Sequence, residues 1–347
     1  MEQPAAADDD NDGLDDGPDG PPPDDANDAN DGDDANDSGD EAAPLIAETR
    51  EIGDEHVGGA TVPPLSEHPA APEPPITSRR AGRNLPAAIA VGVLLGVLIV
   101  GSLFTYPPAF AVIVGAAVAA SIWELRGAFA TVGRHLPIVP LTAGSLAMLF
   151  FAWRDGGDGL VLALFLTVGL CMVWRLPGRR TYALRDSVAA AFSAIYVPFL
   201  AGFAVLMAVQ SHGPQRVIIF IATVAAVDTG GYAAGVLAGR HKLAPRISPK
   251  KTWEGLGGSV TFCVLVGGSL VPWLLPGGRI WQGALLGVAT VLSATIGDLG
   301  ESAIKRDIGI KDMSHLLPGH GGVMDRLDSM LPTAPVAFLL LSLFVPG

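Results

Sequence analysis

The sequence is short of charge and of cysteine, and both shortages exclude classes of protein. Only 16% of its 347 residues are charged, and there are two cysteines. Two cysteines cannot build a disulfide-rich scaffold, and Cys171 and Cys263 both lie in apolar runs, where a thiol acts as a small hydrophobic group. The net charge of −13 argues against a nucleic-acid-binding protein, so no nucleic acid is expected as a partner.

The acidic residues are concentrated at the start of the sequence. Residues 1–80 contain 23 of the 35 Asp and Glu but only three of the 22 Lys and Arg. This segment has too few large apolar side chains to offset the entropy lost on ordering it. We therefore predict a disordered acidic cytoplasmic tail over residues 1–84 and a membrane-embedded domain over residues 85–347.

The rest of the chain is apolar enough to cross a membrane several times. Hydrophobic residues make up 49% of the sequence, and the mean hydropathy is +0.41 despite the polar tail. Because a transmembrane helix needs about 20 apolar residues, we predict an all-α polytopic membrane protein with about nine transmembrane helices. The third and fourth are short and form a helical hairpin. The predicted spans are 85–106, 109–125, 136–153, 159–174, 188–209, 217–239, 255–275, 282–297 and 331–345.

Lys and Arg residues divide unevenly between the loops that join these spans. Alternate loops, beginning with the segment before the first span, hold 18 of the 22. The opposite loops hold only Arg154, Arg216 and Arg279. Since positive residues accumulate on the cytoplasmic side of membrane proteins, this bias predicts a cytoplasmic N-terminus and an external C-terminus.

Two aspartates lie within the apolar segments. Asp228 falls late in the sixth predicted span, and Asp298 follows the eighth, both at the cytoplasmic side. Ionisable groups in membrane segments are costly and therefore mark candidate functional sites. The alternative interpretation is a carboxylate that only pairs with a nearby Lys or Arg.

The segment from Glu301 to Ser329 mixes carboxylates with basic residues, which a simple membrane anchor does not require. Carboxylate oxygens can hold a hard divalent ion, and cations can neutralise phosphate oxygens, so the mixture suits phosphoryl transfer. If the chain is helical from Gly322, Asp325 and Asp328 share one face and could join Asp298 around one ion or an ion pair.

The residues of this segment resemble a known signature. The stretch from Ser302 to Asp328 is similar at all 27 positions to the signature of the phosphatidate cytidylyltransferases, also called CDP-diglyceride synthetases. The upstream sequences DTGGYAAG, SPKKTWEG and GDLGES resemble the same family. The likeness covers roughly residues 85–347 and leaves the acidic tail outside.

This resemblance implies that CTP and phosphatidic acid react to give CDP-diacylglycerol and pyrophosphate. It implies a requirement for Mg²⁺ and allows a second, monovalent cation such as K⁺. It further implies a lipid-embedded enzyme of the plasma membrane with its active site facing the cytoplasm, and it suggests a homodimer. Val227 is a departure, because many relatives carry Asn before the aspartate.

We assign site residues on this basis. The expected metal ligands are Asp298 and Asp325, with Asp328 and Asp228 as secondary ligands or organisers. The expected catalytic residues, which hold the triphosphate and the leaving pyrophosphate or contact a phosphate oxygen, are Lys305, Arg306, Lys311, Asp312, His320 and Arg326. The expected substrate-binding residues are Ser248, Lys250, Lys251, Thr252, Glu254 and Ser302.

Two other interpretations stay open. A transporter would also have many spans and buried aspartates, but the sequence shows no repeat and its charge gathers at one membrane face. Another membrane-embedded, nucleotide-dependent lipid phosphotransferase is the second alternative. The Asp-rich DGxxAR motif of the CDP-alcohol phosphotransferases is absent from the sequence.

Overall fold

A computed structural model describes residues 85–174, 180–245, 247–314, 316 and 321–345. The predicted tail and His320 lie outside the described residues. The described part is mostly helical. Its helices are α1 (Leu85–Thr105), α2 (Pro107–Thr131), α3 (Ile138–Trp174), α4 (Arg180–Ala194), α5 (Leu200–Val209), α6 (Gly213–Ala238), α7 (Trp253–Leu274), α8 (Ile280–Ile308), α9 (Met324–Leu327) and α10 (Met330–Phe344).

The helices have the length and surface of membrane spans. Seven helical segments in the described part are long and apolar enough to cross a bilayer, and a shorter apolar helix covers Gly92–Thr105. Large hydrophobic side chains such as Leu162, Val97 and Leu237 are 60%, 65% and 86% exposed. Such a surface is costly in water but suits lipid. The chain is a helical multi-pass membrane protein.

Helix α3 is two antiparallel helices that meet at Gly156. This glycine has φ 71° and ψ −148°, a conformation that other residues rarely adopt. A Cβ added to Gly144 would lie 2.3 Å from the Thr167 side chain, although a straight helix would separate these positions by roughly 34 Å. The predicted helical hairpin is therefore confirmed.

A π-helical turn, Ile195–Phe199, joins α4 to α5. It contains Pro198, which cannot donate a backbone hydrogen bond and so disturbs the regular helical ladder. The turn is nevertheless continuous with its neighbours, and the apolar span runs from Leu184 to Val209. This turn brings Tyr196 towards the charged end of α8.

Glycines allow α6, α7 and α8 to pack with their backbones in close contact. A Cβ on Gly230 of α6 would lie 2.6 Å from the Gly258 carbonyl oxygen of α7. A Cβ on Gly283 of α8 would lie 2.0 Å from the Gly267 carbonyl oxygen of α7. Small residues at helix contacts are typical of membrane proteins, where close packing replaces the hydrophobic driving force.

The starts of α6 and α8 and the end of α10 lie at one end of the bundle. Arg216, fully buried near the start of α6, donates a hydrogen bond to the carbonyl oxygen of Val345. Trp281, near the start of α8, packs edge-on against Phe344 with ring centroids 5.5 Å apart. The opposite end therefore carries the end of α8, the start of α10 and the charged segments between them.

A two-stranded antiparallel ribbon interrupts the helical fold between α6 and α7. Strand β1 (Lys242–Ala244) pairs with β2 (Ser248–Thr252), and Lys242 lies opposite Thr252. The expectation of an all-α protein is wrong in this detail. Residues 248–252 are polar and too few to show a period of two, so the sequence gives little sign of a strand.

Candidate active site

Two aspartates meet at the charged end of the bundle. Asp298 lies on α8, and Asp328 lies between α9 and α10. Their carboxylates are near enough to interact directly. The backbones are equally close, because a Cβ on Gly297 would lie 2.3 Å from the Asp328 carbonyl oxygen. Asp328 also accepts a hydrogen bond from the Ser329 backbone N–H at 2.6 Å.

Asp228 and Lys251 complete this group, which we call the aspartate cluster: Asp228, Lys251, Asp298 and Asp328. Lys251, in β2, forms an ion pair with Asp298. Asp228, on α6, interacts electrostatically with both Lys251 and Asp298. Arg326 acts electrostatically on Asp228 as well, so two described cations face three carboxylates, and the remaining negative charge favours a further cation at this place.

A cavity of about 300 Å³ adjoins the aspartate cluster. It lies between α6, the ribbon and α7, whose close packing at Gly230 and Gly258 brings these elements together. Thr252 caps α7 by accepting a hydrogen bond from the Gly255 backbone N–H at 3.1 Å. The polar lining of the cavity comes from Asp228, Tyr232, Ser248, Lys250, Lys251, Thr252, Ser259 and Thr295.

A second group, which we call the Lys305 cluster, consists of Glu301, Lys305 and Asp325. The Lys305 Nζ lies 2.8 Å from Asp325 Oδ1 and 3.1 Å from Glu301 Oε1. Glu301 and Lys305 are one helical turn apart on α8, and Asp298 precedes Glu301 by three residues, so α8 presents all three on one face. Glu301 also interacts electrostatically with Asp328, which links the two clusters.

Asp325 also organises the backbone of its own segment. It accepts hydrogen bonds from the Gly322 backbone N–H at 2.9 Å and from the Met313 backbone N–H at 3.2 Å. The sequence indicated that Asp325 and Asp328 could share one face and join Asp298 around one ion or an ion pair. In the structure the two aspartates lie in neighbouring clusters, and Lys305 contacts Asp325 directly.

The donor set fits Mg²⁺ bound partly by substrate. Among the described residues, no group of three or more His, Cys, Asp or Glu is arranged to hold a metal ion alone. Mg²⁺ usually binds one or two protein carboxylates and completes its shell with water and phosphate oxygens. The adjacent Asp298 and Asp328 carboxylates, with Asp228 beside them, match this pattern.

Several predicted residues lie at the margin of the clusters, and one of them, Arg326, interacts electrostatically with Asp228. Arg306, Lys311, Asp312 and Arg326 are exposed on the end of α8, the following loop and α9. Ser302 is partly buried on α8 next to Glu301. These positions suit contacts to a phosphate entering from outside the bundle, whereas the prediction for His320 falls outside the described residues.

Glu254 holds the ribbon to α7. Its carboxylate accepts hydrogen bonds from the backbone N–H groups of Arg240 and His241 at 3.1 and 3.2 Å. It also contacts His241 Nδ1 at 2.6 Å. These contacts join the end of α6 to the start of α7, so the described contacts of Glu254 organise the backbone next to the cavity.

Sequence reasoning missed three residues at the site. Glu301, although part of the mixed segment, had no assigned role. The buried hydroxyl of Tyr196 interacts electrostatically with Glu301, Asp298 and Asp328. Glu124, on α2, is 2% exposed and contacts the segment around Asp325. A lone acidic residue inside an apolar helix was the only available signal for Glu124.

These features define a helical multi-pass membrane protein whose charged site is suited to binding phosphate groups. Residues 86–344 match the cytidylyltransferase family. A phosphatidate cytidylyltransferase of Mycobacterium leprae is 42% identical over 280 residues, covering 76% of this chain and 89% of the relative. One from Mycobacterium bovis is 39% identical over 288 residues, covering 79% and 94%. The chain belongs to the cytidylyltransferase family and is a nucleotidyltransferase.

Proposed function

We propose that the protein is a phosphatidate cytidylyltransferase that converts CTP and phosphatidic acid into CDP-diacylglycerol and pyrophosphate. The observation that carries this proposal is the aspartate cluster beside the polar cavity, in a chain similar to proteins of that name. A multi-pass membrane protein also suits a lipid substrate, because the acyl chains can stay in the bilayer while the headgroup reacts.

In the reaction, a phosphate oxygen of phosphatidic acid attacks the α-phosphorus of CTP. The bond between the α-phosphorus and the oxygen bridging to the β-phosphate breaks, and pyrophosphate leaves with the electron pair. A phosphomonoester has a second pKa of about 6, so the nucleophile is already anionic and needs no strong general base. The barrier is the repulsion between an anionic lipid and an anionic nucleotide.

Cations lower that barrier by neutralising charge on the attacking, transferring and leaving oxygens. Lys251 lines the cavity and binds the nucleotide or lipid phosphate, together with Lys250 and Ser248. Lys305 contributes a cation at the edge of the aspartate cluster. The exposed Arg306 and Lys311 hold the triphosphate and the departing pyrophosphate.

Mg²⁺ would be held by Asp298 and Asp325 as principal ligands, with Asp328 and Asp228 as secondary ligands or organisers. Asp325 Oδ1 contacts Lys305 Nζ at 2.8 Å, so Asp325 would hold the ion beside Lys305, whose positive charge would be available to a phosphate. The ion would supply positive charge at the phosphate oxygens. A monovalent cation such as K⁺ could occupy the second position near these carboxylates.

We further propose nine spans, with the N-terminus in the cytoplasm, the C-terminus outside and the active site at the cytoplasmic face of the plasma membrane. The fold supports this count, because α3 is a hairpin and so contributes two helices. The loop charges support the orientation. A homodimer is part of the same proposal and rests on the family resemblance alone.

The proposal is tested with purified full-length protein, phosphatidic acid and CTP, dCTP or ATP, with and without Mg²⁺. We expect CDP-diacylglycerol and pyrophosphate in equal amounts, with CTP preferred over ATP and with an absolute need for Mg²⁺. Phosphoryl transfer from ATP would indicate a different lipid phosphotransferase. Substrate uptake into vesicles without pyrophosphate release would indicate a transporter.

A further inference from the structure

Glu124 is a buried carboxylate on α2, a helix that contributes no residue to the aspartate cluster or the Lys305 cluster. Its oxygens accept three hydrogen bonds from the distant segment that carries the signature. Ser314 Oγ donates to it at 2.6 Å, and the backbone N–H groups of Val323 and Met324 donate at 2.8 and 2.7 Å. A buried carboxylate is stable only when such partners replace water.

Asp325 contacts the same two stretches of backbone from the other side. It accepts from Met313 and Gly322, while Glu124 accepts from Ser314 and from Val323 and Met324. A Cβ added to Gly322 would lie 2.8 Å from Glu124 Oε2 and 3.0 Å from Asp325 Oδ2. The two carboxylates therefore approach one glycine together and join residues 313–314 to residues 322–324.

We propose that Glu124 is a positioning residue for the metal site. It fixes the backbone at Val323 and Met324, where α9 begins, and so sets the position of Asp325 and Asp328 relative to Asp298 on α8. The inference rests on the proposed role of these aspartates in binding Mg²⁺. Glu124 itself contacts none of them through a described hydrogen bond and acts through the backbone that carries them.

The chemistry of the site explains why a carboxylate is needed. Every described partner of Glu124 is a donor, and a carboxylate is the side chain that only accepts. In Glu124→Gln one oxygen becomes an NH₂ group, which would face at least one N–H donor. The segment would then shift until the clash between donors is relieved, and the carboxylates of Asp325 and Asp328 would move with it.

The test uses full-length protein with Glu124→Gln, Ser314→Ala and Ser121→Ala. Ser121 is a matched control, because it is buried on the same helix and its hydroxyl donates to the Ala117 carbonyl oxygen of that helix. Two quantities are measured: kcat per folded enzyme, and the rise in Tm caused by CTP at increasing Mg²⁺ without phosphatidic acid.

For Glu124→Gln we expect about a tenfold loss of kcat and about a tenfold higher Mg²⁺ concentration for the half-maximal rise in Tm, each close to 1.4 kcal/mol. Ser314→Ala should shift both values by about threefold, and Ser121→Ala should match the parent.

A folded Glu124→Gln protein with lowered Tm but unchanged kcat and Mg²⁺ requirement would overturn the proposal. If that variant does not fold, unchanged values in Ser314→Ala overturn it. A parent protein without any Mg²⁺ response would instead disprove the metal site.

Discussion

Lys251 is the side chain that connects the polar cavity to the aspartate cluster. It lines the cavity from β2 and forms an ion pair with Asp298 on α8. The Lys251 side chain is 32% exposed and that of Asp298 24%, so their attraction is screened less than that of a fully exposed pair. When a triphosphate enters, the same cation can move from the carboxylate to a phosphate oxygen.

We predict that Lys251→Gln lowers kcat/KM for CTP by about tenfold to a hundredfold, because a charge-assisted hydrogen bond worth about 1.5–3 kcal/mol is lost. Lys251→Arg should recover part of the activity, since the charge remains. Lys242→Gln, in the paired strand and exposed, is the control and should match the parent. Steady-state kinetics at saturating phosphatidic acid measure the effect, and equal kcat/KM for Lys251→Gln and the parent would remove Lys251 from the site.

At the scale of single residues, the sequence predicted the charged residues of the site but not all of their partners. Asp228, Lys251, Asp298 and Asp328 were expected at one site and do lie together. Glu124 was not expected, because two of its three described partners are backbone N–H groups. Every residue except proline has such a group, so the pairing leaves no mark in the sequence.

At the scale of elements, α8 is the part that builds the site. The sequence predicted that this span ends near residue 297, because the charges that follow are typical of a loop. The helix instead continues to Ile308 and keeps Asp298, Glu301 and Lys305 in register. Lys305 pairs with Glu301 and with Asp325. This pairing offsets the cost of burying charged side chains, and hydropathy alone does not take such pairing into account.

The packing of α7 against α8 sets the position of α8 and gives a prediction about stability. Gly283→Ala places a methyl group 2.0 Å from the Gly267 carbonyl oxygen, so the helices must separate. We expect a loss of about 1–3 kcal/mol, typical of overpacking, and a clear fall in Tm in detergent. Gly257→Ala on α7 is the control, because its Cβ meets nothing within 4 Å. An equal Tm for both variants would contradict the close packing.

For the whole molecule, the fold and the loop charges give independent information about the membrane topology. Contacts of Arg216 with Val345 and of Trp281 with Phe344 place three helix ends together, without reference to charge. The charge bias supports the proposed assignment of the cytoplasmic end of the bundle. The apolar runs predicted the helices and the hairpin, whereas the ribbon depends on pairing between two short polar segments.

Cysteine labelling in sealed cells checks this orientation. Asp155→Cys lies in the turn at Gly156, and Lys242→Cys lies in the ribbon; both positions are exposed. The native Cys171 and Cys263 are buried, and the parent protein that contains them gives the background labelling. We expect an impermeant thiol reagent added outside to label Asp155→Cys and to label Lys242→Cys only after the cells are opened. The reverse pattern would invert the proposed topology.

The magnesium dependence of Asp298→Asn, Asp325→Asn and the double variant is the decisive experiment for the proposed enzyme. Each change keeps the side-chain shape but removes the charge that holds the ion, so kcat per folded enzyme should fall by about a hundredfold or more. The double variant should be little worse than either single one, because each disables the same ion. Asp155→Asn, at the other end of the bundle, is the control. Near-normal turnover of folded Asp298→Asn and Asp325→Asn at ordinary Mg²⁺ would contradict the proposed mechanism.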